Sequence, residues 1–187
     1  MPLFRETGVV DDVWTKLADD QTVPADGPVL VSLTRWRGAR AALLARRGPI
    51  GVALANSDAV ESLAGDVSRL DLVALHFPKF SDGRAYSQAR LLRGRMGYGG
   101  ELRATGSVLR DQLPFMLRCG FDAFESDQPG FADALAGART LFSVVYQPAE
   151  DGRTPVSFLR LSSPVIRGRW PAGPEGESSS EVTNYNY

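Results

Sequence analysis

The chain has 187 residues, 43% of them hydrophobic and 23% charged, with a formal net charge of −1. That is the composition of a soluble globular protein, long enough for one domain with a real core. No apolar run is long enough to cross a bilayer as a helix. With one cysteine and one histidine, the composition excludes a disulfide framework, a four-cysteine iron–sulfur site and a zinc knuckle.

The opening "MPLFRETGVVDD" lacks the basic flank and greasy run of a secretory signal, so a cytoplasmic location is expected. "LFRETGVVDDVW" reads as a short hairpin, with "ETG" as its turn and Trp14 as an anchor, and "DDQTVPADG" as a loop. An alternation follows. Apolar runs of β type occupy 28–33, 49–55, 71–77, 101–106, 121–126 and 142–147, and helical patterns occupy 36–47, 58–69, 83–96, 108–119 and 129–140. This spacing predicts an α/β fold of repeated βα units around a mainly parallel sheet. Six strands fall short of a complete eightfold barrel, so the sheet is expected to be either open and doubly wound or an incomplete barrel; right-handed crossovers suit both.

In the helix over 83–96, Ala85, Ala89, Leu92 and Met96 form one apolar stripe, with Arg90, Arg93 and Arg95 outside it. Asn56 or Ser57 is expected to cap the helix over 58–69, and Pro114 to kink the one over 108–119. "PVSFLRL" at 155–161 suggests one more strand. The Pro-, Gly- and Ser-rich acidic end reads as a flexible, disordered tail over 171–187, following a single α/β domain over 1–170.

Charge is unevenly spread. Residues 1–27 carry two basic side chains against six acidic ones; residues 76–118 carry eight basic against three acidic. A local basic field favours an anionic ligand or an acidic partner. The low isoelectric point and the lack of a nucleic-acid motif argue against nucleic acid.

The corner at 75–93, "LHFPKFSDGRAYSQARLLR", holds the one histidine, His76, and one of two lysines, Lys79. In parallel α/β folds, ligands sit beyond the carboxyl ends of the strands, where loops run into helix starts. Ser81 or Asp82 can cap the next helix, Gly83 allows an unusual backbone angle, and Lys79 and Arg84 flank the start. A second corner, "ELRATGSVLRDQ", brings Arg103, Thr105, Gly106 and Ser107, with Asp111 and Gln112 in the next helical turns. If the two strands are neighbours, Lys79, Asp82, Gly83, Arg84, Arg103, Thr105 and Ser107 define a small-anion site. His76 is then the candidate catalytic group, since imidazole suits proton transfer near neutral pH. Each residue also has a plain structural role open to it: a hydrogen-bonded strand-end histidine, a surface lysine, a local Asp82–Arg84 pair. Cys119 sits at a helix C-terminus, where the dipole disfavours a thiolate, and reads as structural. "GYGG" at 97–100 precedes a strand instead of following one and is no dinucleotide fingerprint.

"FPKFSDGRAYSQARLLR", "GELRATGSVLRDQ" and "LRCGFDAFE" resemble the bacterial family catalogued as domain of unknown function 934. The likeness is close over 76–126. It extends more loosely to "PADGPVLVSLTRW" and "PIGVALAN", and includes "YQP" near 146. Members of that family are often labelled oxidoreductases of sulfite reduction, because their genes tend to lie beside those for the assimilatory sulfite reductase haemoprotein. The resemblance implies an accessory protein of sulfite reduction and cysteine biosynthesis, docking on sulfite reductase or its electron donor. The alternative is a small-anion-binding enzyme or sensor for sulfite, sulfate or a phosphorylated metabolite. No cofactor site is evident in the sequence, though a flavin phosphate is compatible with a barrel-like corner; a third reading is a structural homodimer module whose signature residues serve packing.

Overall fold

The computed structural model describes residues 1–158. The expected tail over 171–187 lies outside them, as does the end of the expected strand over 155–161; residues 156–158 form a helical turn, not a strand.

Strands β1 (Leu3–Arg5) and β2 (Gly8–Val10) make the expected hairpin. They are followed by β3 (Thr15–Lys16), β4 (Val29–Ser32), β5 (Ile50–Leu54), β6 (Leu72–Phe77), β7 (Glu101–Gly106) and β8 (Ala123–Glu125). All eight belong to one sheet of order β2-β1-β8-β7-β6-β5-β4-β3. The ladders from β3 to β8 are parallel, whereas β1 joins β8 and β2 joins β1 antiparallel. From β3 to β8 each strand pairs with its successor and the order never reverses, so the sheet has no doubly wound switch point; it is the incomplete barrel of the two expected arrangements.

The curl follows from chain length. Flat, seven strand spacings would measure about 34 Å. The edge strands β2 and β3 are joined through residues 11–14 alone, and a fully extended chain from Val10 to Thr15 reaches at most about 18 Å. The sheet must therefore bend until its edges approach each other.

Helices α1 (Leu33–Leu44), α2 (Arg84–Arg90), α3 (Leu113–Arg118) and α4 (Phe131–Ala138) cover the outer face. Their apolar sides meet Val31, Val52, Val73, Leu75, Leu102, Ala104 and Phe124 in one buried cluster with Trp36, Leu43, Leu92, Met116 and Leu135. Helix α1 starts earlier than expected because the Ser32 hydroxyl accepts from the Arg35 N–H at 3.0 Å. Helix α2 buries Ala85 and Ala89 as expected, then widens into a π turn over Leu91–Arg95 that buries Leu92, with the Met96 N–H donating to the Leu91 carbonyl. That re-phasing leaves Met96 half-buried.

Three expectations are corrected. The helix over 58–69 is two 3₁₀ turns, Val60–Leu63 and Val67–Arg69, parted at Gly65 and Asp66; an ion pair from Arg40 of α1 holds Asp66 there. Pro114 lies in the first turn of α3, where a missing N–H costs no helical bond, so it starts a helix instead of kinking one. Residues 142–147 form no strand: β1 already pairs with the free side of β8.

The inner face is unlike the outer. One register row runs Leu30, Gly51, Leu72, Glu101, and the next runs Ser32, Ala53, Ala74, Arg103, Ala123. A Cβ on Gly51 would lie 3.0 Å from Leu72 and 3.1 Å from Leu30, so glycine gives way to the two leucines. In the second row every residue but Arg103 is small.

Candidate functional site

The two corners singled out in the sequence do meet. Strands β6 and β7 are neighbours, with His76 in register with Thr105 and Phe77 with Gly106. His76 is exposed at the open end of the inner face, and its Nδ1 lies 3.3 Å from the Thr105 hydroxyl. Gly106 adopts φ +86°, and a Cβ there would collide with the Phe77 carbonyl and lie 2.6 Å from the His76 ring, so glycine alone lets β7 turn beside the histidine. The Ser107 N–H donates to the Phe77 carbonyl at 2.7 Å and fastens the two corners together. Ser107 does not cap the helix that follows, which begins three residues later with the 3₁₀ turn Arg110–Gln112.

Beyond Pro78 the chain folds into a tight turn, with the Asp82 N–H donating to the Lys79 carbonyl at 3.0 Å. Lys79 is exposed in that turn. Gly83 is the N-cap of α2, with an ordinary negative φ of −86°, so the unusual angle expected there is not used. Asp82 accepts from the Arg84 guanidinium at 2.7 and 3.0 Å, from the Arg84 backbone N–H at 3.2 Å and from Asn56 at 2.5 Å. The Arg84 bonds hold the Asp82 carboxyl down at about 2 and raise the Arg84 pKa in return. The pair is local and largely self-contained, as the plain structural reading had it. Across the corner, Gln112 donates to the Phe80 carbonyl at 2.9 Å, while the Phe80 ring itself stays exposed.

Arg103 is not part of this corner. It has 0% exposure, lies on the inner face of β7, and is met by three carboxylates: Asp12 at 2.9 Å, Glu101 at 2.8 Å and Glu125 at 3.2 Å. Burial alone would lower its pKa, but the hydrogen bond to Asp12 and the charge of Glu101 outweigh burial, and the net direction is upward. Around it, Arg5 pairs with Glu101, and Lys16 lies 2.9 Å from both oxygens of Glu125. The expected approach of Arg103 to Lys79 and Arg84 is replaced by this internal network.

Other parts of the basic field are similarly committed. Arg93 donates to the carbonyls of Tyr98, Gly100 and Gly120 and to Asp122, and Arg118 faces Asp151. Cys119 is buried, and burial pushes its thiol up to about 11, as a structural cysteine requires.

A surface not anticipated from the sequence lies on the outer side, between α3 and α4 and along residues 141–147. A groove of about 590 Å³ runs from Leu109 and Pro114 past Ala134 and Ala138 to Leu141. It continues through smaller recesses lined by Leu117, Arg118 and Phe142, then by Val144, Tyr146 and Gln147. Phe115, Leu141, Phe142, Val144 and Tyr146 are all more than half exposed. The signal was present: the alternation that suggested a strand over 142–147 is real, with Val145 buried between exposed Val144 and Tyr146.

Among the described residues no helix is long and apolar enough to cross a membrane, and no group of three His, Cys, Asp or Glu side chains is placed to hold a metal. No curated protein matches the chain. The model of a family described as "Bacterial protein of unknown function (DUF934)" matches residues 51–157, from β5 to beyond α4.

Proposed function

Because the chain belongs to the DUF934 family of bacterial proteins, we propose that it acts as an accessory protein of assimilatory sulfite reduction, docking on sulfite reductase or on its electron donor. The sulfite assignment comes from the family's usual label. The observation that supports docking is the groove between α3 and α4 together with Leu141, Phe142, Val144 and Tyr146 along its continuation, each of them more than half exposed. Single exposed apolar residues are ordinary, but a contiguous set beside a groove is the mark of a partner surface. The ionisable groups point the same way: Arg84, Arg93, Arg103 and Arg118 each hold a carboxylate of the same chain. The test is co-elution of the purified protein with purified sulfite reductase haemoprotein, and separately with its electron-donor subunit. A complex with one of them, lost in Phe142→Ser/Tyr146→Ser, is expected. Elution as a free protein beside both removes this reading.

The joined corner favours a second reading, a small-anion sensor or enzyme, because His76, Thr105 and the Lys79 turn converge at the open end of the strands. In an enzymatic version His76 transfers the proton. Calorimetric titration with sulfite, sulfate and phosphate tests it. Binding that is unchanged in Lys79→Ala and Thr105→Ala would discard those residues.

A further inference from the structure

Inside the curled sheet, one fully buried guanidinium is met by three carboxylates that are not equivalent. Glu101 and Glu125 stand on strands, their side chains are 9% and 8% exposed, and each has a second cation, Arg5 or Lys16. Asp12 belongs to no strand, its side chain is 27% exposed, and it sits in the 11–14 link between exposed Asp11 and exposed Val13. Beside the Asp12–Arg103 pair a recess of about 220 Å³ is lined by Arg103, Glu101, Val13 and Trp14. Arg103 Nη2 has no hydrogen-bond acceptor; Glu101 Oε1 lies 2.8 Å from it, out of line with its N–H bonds. Arg5, Lys16 and Arg103 balance Asp12, Glu101 and Glu125. Without Asp12 these ion pairs hold three cations against two carboxylates, with exposed Asp11 the other carboxylate on the recess.

We propose that Arg103 is a receptor for a small, singly charged oxyanion, and that Asp12 is its tethered occupant, displaced when the 11–14 link moves outward. A guanidinium fork takes a planar carboxylate or a hydrogensulfite through paired N–H bonds. The small row neighbours Ala53 and Ala74 make room for Trp14, which packs on them beside Arg103, so the space for an anion is the one the Asp12 carboxylate vacates together with the adjoining recess. The site is separate from both the docking surface and the His76 corner, so its failure leaves those readings untouched, and theirs leaves it untouched.

The test follows the Trp14 indole N–H resonance, which reports from the wall of the recess. Sodium formate and sodium sulfite are titrated at constant ionic strength into wild type, Asp12→Asn, Asp12→Ala and Asp12→Glu. If Asp12 fills the site about nine-tenths of the time, its removal tightens apparent anion affinity about tenfold. Asp12→Asn and Asp12→Ala are expected to gain that much and Asp12→Glu nothing; the salt that saturates identifies the oxyanion class. In the wild type, formate is expected to shift the Asp12 carboxyl carbon resonance, because displacement removes its 2.9 Å bond from Arg103. Equal affinities in wild type and the two carboxylate-free variants, or an unmoved Asp12 carboxyl resonance at the highest formate concentration, overturns the proposal.

Discussion

Lys16 Nζ lies 2.9 Å from both oxygens of Glu125, although β3 and β8 stand five strand positions apart in the sheet. In a flat sheet that separation would be about 24 Å. The contact therefore depends on the curl, and with Asp12–Arg103 it ties the N-terminal segment to β7 and β8 from inside. Arg103→Met leaves buried Glu125 and Glu101 without their shared cation and is expected to cost about 3–5 kcal/mol. Lys16→Met removes a half-exposed partner and should cost only about 1 kcal/mol. Urea unfolding midpoints measure both. A loss below about 1 kcal/mol for Arg103→Met would mean that the network does not hold the curl.

Gly106→Ala should destabilise by about 2 kcal/mol or more. It combines a φ of +86° with a collision against the Phe77 carbonyl, and it forces the His76 ring aside. Gly38→Ala is the opposite case. Gly38 lies in α1 with open space where a Cβ would stand, but the helix is kinked at the next residue, Ala39, with φ −119°, so a gain of only up to about 0.5 kcal/mol is expected. Thermal unfolding of the two variants should move in opposite directions, and a matching sign would contradict the geometry.

Asp82 should remain ionised well into acid. Its folded pKa is lowered from 3.8 to about 2, chiefly by the Arg84 side-chain bonds. A depressed carboxyl contributes stability above its unfolded pKa, and that contribution fades as pH falls from about 4 to about 2. Carbonyl carbon shifts in a pH titration should place the Asp82 midpoint near the lower figure, and Arg84→Ala should move it upward. An ordinary midpoint in the wild type would show that the Asp82–Arg84 pair does not persist in solution.

Cys119 should resist thiol reagents while the protein is folded. Burial raises its thiol to about 11, which leaves little thiolate at pH 8, and the side chain has almost no accessible surface. Labelling with a disulfide reagent is expected to be slow in buffer and immediate in urea. Rapid reaction of the folded protein would place the sulfur nearer the surface than the structure does.

The periodicity of the chain carried most of the architecture and little of the interior. Strand β6 was legible because an apolar run ends at Pro78, and the buried stripe of α2 because Ala85, Ala89 and Leu92 repeat at helical spacing. The alternation in "ELRATG" even separates Glu101, Arg103 and Thr105 from Leu102 and Ala104. What it could not contain is the identity of the groups facing Arg103, since Asp12 and Glu125 come from segments 91 and 22 residues away. Strand β3 leaves no mark in the sequence because two residues show no pattern; only the ladder with β4 defines it. The turns at Val60–Leu63 and Val67–Arg69 have the sequence pattern of one helix, because the Arg40 contact that holds Asp66 is tertiary. The strand over 142–147 had the right alternation and no vacant neighbour, because a hairpin more than a hundred residues earlier had already taken the edge of β8.

The polar lumen also acts as a pairing code. If β7 slipped by one residue against β6, Leu102 and Ala104 would face Asp12 and Glu125, and the guanidinium of Arg103 would be driven among Leu92, Met116 and Phe124. Neither half of that exchange is tolerable in a dry interior. An arginine among alanines thus fixes which rungs of the ladder β7 occupies, a task that apolar side chains on both faces would leave degenerate.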